Sequence, residues 1–101
     1  MDDGLVRFLL ARIADDERDL RRINGAGAGD GVLSSARAMA ECAAKRDVIG
    51  IMQRMLVLRD LPLERQVRDG ATEVLRRMAA VYGSHVGYRT DWRPKPGRVL
   101  T

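Results

Sequence analysis

Three of the four aromatic residues in this chain lie at or beyond its last helical signal. Tyr82, Tyr88 and Trp92 fall in the run Tyr82-Gly83-Ser84-His85-Val86-Gly87-Tyr88-Arg89-Thr90-Asp91-Trp92-Arg93-Pro94, which also holds the only Trp and the only His. Pro94 and Pro96 forbid a helical ending, because proline lacks the amide donor and clashes with the preceding turn. Gly87 provides a bend, and Gly83 is placed as the left-handed residue that closes a helix. A segment that is irregular yet aromatic is expected to pack down, since each large ring gains most by leaving water. The expectation is a strap over residues 84–96 that lays Val86, Tyr88 and Trp92 across the helices and leaves Arg89 and Arg93 in solvent. The alternative is a partner-binding patch of Tyr88, Arg89, Trp92 and Arg93, the residue types that dominate binding hot spots. Residues 97–101 read as a frayed end.

Everything before the strap reads as helix. Apolar residues recur at three- and four-residue steps in three stretches, about 4–23, 33–59 and 62–82. In the first, Leu5, Phe8, Leu9, Ile13, Leu20 and Ile23 form one side, and Asp2 or Asp3 can cap the start. The stripe breaks near Asp16, where an apolar residue is expected. Around it, Asp15-Asp16-Glu17-Arg18-Asp19 and Arg21-Arg22 read as a solvated face with i,i+4 pairs such as Glu17–Arg21, rather than as a cation site. Asn24–Gly31 carries four glycines in eight residues and reads as the connection between antiparallel helices. A helix precedes this run where a nucleotide-binding turn would need a strand.

The second helix starts with small residues (Ala36, Met39, Ala40, Ala43, Ala44) and continues with bulky ones (Val48, Ile51, Met52, Met55, Leu56, Leu58). Ile49, Leu56 and Val57 fall off that main stripe, so the helix is apolar on more than one side. They are candidates for self-association, with coverage by the strap as the alternative. Gly50 points to a tight crossing or a bend. Asp60 as cap and Pro62 in the first turn restart the chain. The third helix carries Val67, Ala71, Val74, Leu75, Met78 and Val81 inward, with a possible interruption at Gly70. Its outward arginines, Arg65, Arg68, Arg76 and Arg77, are candidates for a nucleic-acid backbone. They are interspersed with Glu64, Asp69 and Glu73, as on an ordinary solvated face.

The fold class expected is therefore all-α: one domain, an antiparallel three-helix unit closed by an irregular aromatic C-terminal strap. With 101 residues and four aromatics, the core must come from aliphatic side chains and Ala. The net charge of +4 is carried almost wholly by arginine, with an acidic first third and a basic tail. Such ends can pair within the fold or between subunits.

The pattern Tyr82-x-x-His85-x-x-Tyr88-x-x-x-Trp92-Arg93-Pro94 resembles the ending of a family of small actinobacterial and actinophage proteins known only as a domain of unknown function. The opening Met1–Ile13 with Asp15-Asp16-Glu17, and the central Ala43-Ala44-Lys45-Arg46 with Val48-Ile49, are similar to that family's start and middle. Together these segments span about half of the chain. Many relatives carry a Gly-Pro-Trp element and a longer polar insert after the first helix, which Asn24–Gly31 replaces here. The resemblance implies a fold and a phage or actinobacterial setting, and it implies no activity.

Catalytic residues are expected to be absent. Ser84 and His85 are neighbours in the chain and do not aim at one reacting atom. Cys42 is alone in an alanine-rich helix, which suits a buried, inert thiol. A lone His makes no metal site, so neither metal nor cofactor is expected. No run approaches a membrane span, and the acidic N-terminus is unlike a secretory signal, so the expected location is cytoplasmic. The first function expected is a small interaction module, a phage or prophage accessory protein acting through a protein partner or as a homodimer; the alternative is a nucleic-acid-binding regulator using the basic third helix and tail, and an enzyme would have only His85 as its acid–base group.

Overall fold

The apolar periodicity does produce three helices: α1 (Leu5–Gly25), α2 (Gly31–Leu56) and α3 (Pro62–Ala80), followed by a single 3-10 turn at Thr90–Trp92. The computed structural model describes residues 4–25, 31–58 and 61–94. Asp2, Asp3, the segment 26–30, Asp60 and residues 97–101, read above as a frayed end, lie outside the described residues. Gly4 enters α1 with φ +88°, a conformation that costs glycine little. Its carbonyl accepts the first helical bond, from the Phe8 N–H at 2.9 Å. Pro62 opens α3 where its missing N–H is harmless; Leu61 is the capping residue and offers no side-chain bond.

The helices pack antiparallel. Asp16 and Leu20 of α1 share a groove with Ala38 and Cys42 of α2, while Leu9 and Ile13 meet Lys45 and Met78. The core is Leu5, Val6, Phe8, Leu9, Ile13, Cys42, Ile49, Leu75, Ala79 and Trp92, with Leu20, Met52, Leu56 and Met78 packed on it.

Several expectations need correction. On α2 the buried side is Ser35, Cys42 and Ile49, at seven-residue steps, whereas Val48 and Ile51 are exposed. A helix that is apolar all round has no face of its own choosing. Here its neighbours decide: Arg46 is held to Glu17 of α1, and Lys45 lines the cleft toward α3. Ile49, read as a self-association residue, has no exposed surface. On α3 the buried residues are Ala71, Leu75 and Ala79, and Val67, Val74 and Val81 face solvent. Small alanines at the contact let α3 approach closely, which turns the larger valines outward. Gly70 does not interrupt α3. Gly50 marks no tight crossing, since a Cβ there would meet nothing within 4 Å. Ile23 is exposed. Glu17 pairs with Arg46 across the helices rather than with Arg21. Gly83 is not left-handed: Gly4 is the glycine with positive φ among the described residues. α3 unwinds instead through i→i+3 bonds, from the Tyr82 N–H to Ala79 O and the Gly83 N–H to Ala80 O.

Candidate functional site

The tail follows α1 in reverse, and its motif is the imprint of that path. Tyr82 donates its hydroxyl to Asp16 Oδ2 at 2.7 Å. The ring nitrogens of His85 meet an Arg12 guanidinium nitrogen, Nδ1 at 2.9 Å. Tyr88 packs edge-on to Phe8, with ring centres 6.1 Å apart. Trp92 lies against Phe8 at 5.1 Å, and its Cζ2 is 3.8 Å from where a Gly4 Cβ would be. Positions 82, 85, 88 and 92 therefore meet 16, 12, 8 and 4. Each step on α1 is close to one helical turn of about 5.4 Å. A tail of successive turns, bonded His85 N–H to Tyr82 O and Tyr88 N–H to His85 O, advances by a similar distance with three or four residues per step.

Phe8 is the hub. Tyr82, His85 and Tyr88 approach it edge-on, Trp92 tilts against it, and the Arg12 guanidinium lies 5.2 Å from its centre. Edge-on contacts match the positive ring rim to the negative face, and a cation over that face adds to them. Gly87 lets the tail close in: its N–H donates to His85 Nδ1 at 2.8 Å, and a Cβ there would sit 3.2 Å from that nitrogen and 3.5 Å from Phe8.

Polar groups flank the inward face of α1 on both sides, Arg12 and Asp16 toward the tail and Glu17 toward α2. Arg12 Nε is 3.0 Å from Asp15 Oδ2. Glu17 accepts two bonds from Arg46, at 2.6 and 3.1 Å, a forked pairing that holds its carboxyl below the ordinary carboxylate range and raises the guanidinium. Burial, then the bond to Asp16, pushes the Tyr82 phenol far up. Burial, then the charge of Glu17, pushes the Cys42 thiol up. Tyr82 and Cys42 are thus held protonated and are poor bases and nucleophiles. The His85 ring is engaged by Arg12 and the Gly87 N–H rather than by Ser84 or Cys42. An open groove of about 280 Å³ between α1 and α2 is lined by Asp16, Asp19, Leu20, Ala38, Glu41, Cys42 and Lys45. Among the described residues no group of three or more His, Cys, Asp or Glu is placed to hold a metal ion. No described helix is long and apolar enough to cross a membrane.

The residues expected to bind partners are divided by this arrangement. Trp92 is only 3% exposed and belongs to the core; Tyr88 is half-buried. Arg89 is exposed, yet it pairs with Asp91 at 2.8 Å and lies over the Trp92 ring at 5.6 Å. Arg93 is exposed. Val86, expected to lie across the helices as part of the strap, is 96% exposed, because the turn between His85 and Gly87 points it outward. Of the self-association candidates, Ile49 is core, Leu56 packs on the core, and Val57 is 81% exposed. The α3 arginines do not form one stripe. Arg65 and Arg77 are exposed on different sides of the helix, Arg68 is half-buried, and the half-buried Arg76 has an enclosed Nε without a hydrogen-bond partner.

The Asp16–Tyr82 bond and the Arg12–His85 contact were not anticipated. The signal for the first was the break in the α1 stripe at Asp16: a polar residue at an inward position needs a partner. Also unanticipated are aliphatic residues at solvent-facing positions, Val48 and Ile51 on α2 and Val67 and Val74 on α3. Their alternating three- and four-residue spacing was present in the sequence and was read as core.

No curated protein and no solved structure matches the chain. A family profile described as "Family of unknown function (DUF6221)" matches residues 1–94, from the first helix through the Trp92-Arg93-Pro94 end of the tail. The chain belongs to this family.

Proposed function

We propose that the chain is a small non-enzymatic interaction module, working through a protein partner or as a homodimer in an actinobacterial or actinophage setting. The observation that carries this reading is the exposed aliphatic surface of α2 and α3, with Val48, Ile51, Val67 and Val74 each more than a third exposed. Isolated exposed aliphatics are ordinary, whereas several aligned on adjacent helices mark an interaction surface. The protonated Cys42 and Tyr82 and the Arg-bound His85 supply no nucleophile–base pair, which favours binding over catalysis. The setting rests on the likeness of the tail motif to the family's ending.

The test is affinity capture with tagged protein from an actinobacterial lysate, with and without nuclease, comparing the natural chain with Ile51→Asp. The expected result is a stoichiometric protein band, or a second copy of the chain, that survives nuclease and is lost in the variant. Material removed by nuclease would transfer the assignment to a nucleic-acid regulator acting through Arg65, Arg68, Arg76 and Arg77. An empty capture together with a monomer by light scattering would overturn the interaction reading.

A further inference from the structure

We infer that the outward face of α2 and α3 is a self-association surface whose occupant is a second copy of this chain. This rests on the interaction reading above and names its partner. On a helix of 3.6 residues per turn, Ala44, Val48, Ile51 and Met55 share one side of α2, and Leu63, Val67, Gly70 and Val74 share one side of α3. Both rows step by four, three and four residues, the spacing of a coiled-coil seam. They lie on the same side of the molecule. Arg46 ties one flank of α2 to Glu17 of α1, and Lys45 on the other flank lines the cleft with Met78 and Val81 near the end of α3. The Val48–Ile51 side is turned away from α1. On α3 the flank that meets Lys45 carries Met78 and Val81, and Val67 and Val74, two heptads and one heptad back from Val81, lie on that same flank, bordering α2.

Three observations select a second copy. The first is area. Val48, Ile51, Leu63, Val67, Val74 and Val81 are 36–76% exposed. They present on the order of 500 Å² of apolar surface, at the upper end of what monomers leave open. Two such faces together bury about 1,000 Å², where specific interfaces begin.

The second is symmetry. A two-fold axis parallel to the helices sets α2 of one copy antiparallel to α3 of the other, seam on seam, and does so twice. Three-to-four ridge packing at about 20° needs nothing more. The eight positions of the two rows, 44, 48, 51 and 55 on α2 and 63, 67, 70 and 74 on α3, are all uncharged.

The third is Gly70. It lies mid-helix with nothing within 4 Å of a would-be Cβ. Within one copy it only weakens α3. On the seam it is the small residue that lets a facing helix come close.

The test is sedimentation equilibrium on the purified full chain over a wide concentration range, with far-UV circular dichroism and melting as folding controls. A mass approaching twice 11.2 kDa is expected. Ile51→Asp and Val74→Asp should each raise the dissociation constant on the order of a hundredfold, because each buries an unpaired carboxylate, while helicity is kept. Gly70→Leu should weaken the dimer too, by crowding the seam without adding charge. Val86→Asp, exposed but off this face, should leave it unchanged. A natural chain that stays monomeric at all concentrations overturns the inference, and so does a dimer indifferent to Ile51→Asp, Val74→Asp and Gly70→Leu. A monomer that still captures a lysate protein sinks the self-association surface alone; a monomer that captures nothing sinks the interaction reading with it.

Discussion

Replacing Trp92 by alanine tests whether the tail is part of the core. The ring is 3% exposed and wedged between Phe8 at 5.1 Å, Tyr88 at 5.9 Å and the backbone at Gly4. A buried Trp removes roughly 200 Å² from water. At about 25 cal/mol per Å² this gives roughly 5 kcal/mol. The tilted and edge-on ring contacts add about 0.5–1.5 kcal/mol each. Collapse of the tail onto Phe8 and residual compactness of the unfolded chain take part of this back. The net loss expected is about 3–5 kcal/mol. A domain of this size holds only about 5–15 kcal/mol, so the midpoint temperature should fall by more than about 12 °C. Because Trp92 is the only Trp, urea unfolding should be followed by far-UV circular dichroism in both proteins, with fluorescence on the natural chain alone. There the emission should be blue-shifted when folded and move red in the same transition. A stability change below about 1 kcal/mol, or emission already typical of water-exposed indole, would refute the packed tail.

Three further outcomes follow from the geometry. Ile49→Ala should cost about 2–4 kcal/mol in urea unfolding because Ile49 is fully enclosed, while Val57→Ala, 81% exposed, should fall within about 0.5 kcal/mol; equal effects would place the inward side of α2 wrongly. The Tyr82 phenol titrates above its ordinary range when folded, so the unfolded chain ionises first. Its contribution is complete below about pH 10 and declines as pH rises further. Tyr82→Phe should therefore flatten the alkaline loss of stability, at a cost of about 1–2 kcal/mol at neutral pH from the deserted Asp16, and an unchanged alkaline limb would contradict the bond. Gly50→Ala should stabilise by about 0.5–1 kcal/mol, since the helix is continuous and the added methyl meets open space; destabilisation would mean that something packs there.

Local chemistry sufficed for the elements. Three- and four-residue periodicity, the glycine run before α2 and Pro62 place three helices to within two or three residues at most ends. The aromatic tail declares its need to pack through composition alone. The break at Asp16 and the spacing Tyr82–His85–Tyr88–Trp92 were both visible as well. What they meant was not, because a tail matching the turns of α1 is a relation between segments 66 or more residues apart, and neither segment carries it alone.

Only the tertiary structure decided which way each helix faces. α2 is apolar on several sides, so its pattern fits more than one rotation. The Glu17–Arg46 fork and the cleft beside Lys45 choose the rotation that buries Ile49 and exposes Val48 and Ile51. On α3 the helix contacts through Ala71 and Ala79, so close packing, rather than side-chain hydrophobicity, assigns the inside. Hydrophobic burial is non-directional and scales with area. It therefore determines from sequence how much of each helix must be covered, while hydrogen bonds, ion pairs and shape, which exist only once the helices meet, determine which part is covered and which is left to face something else.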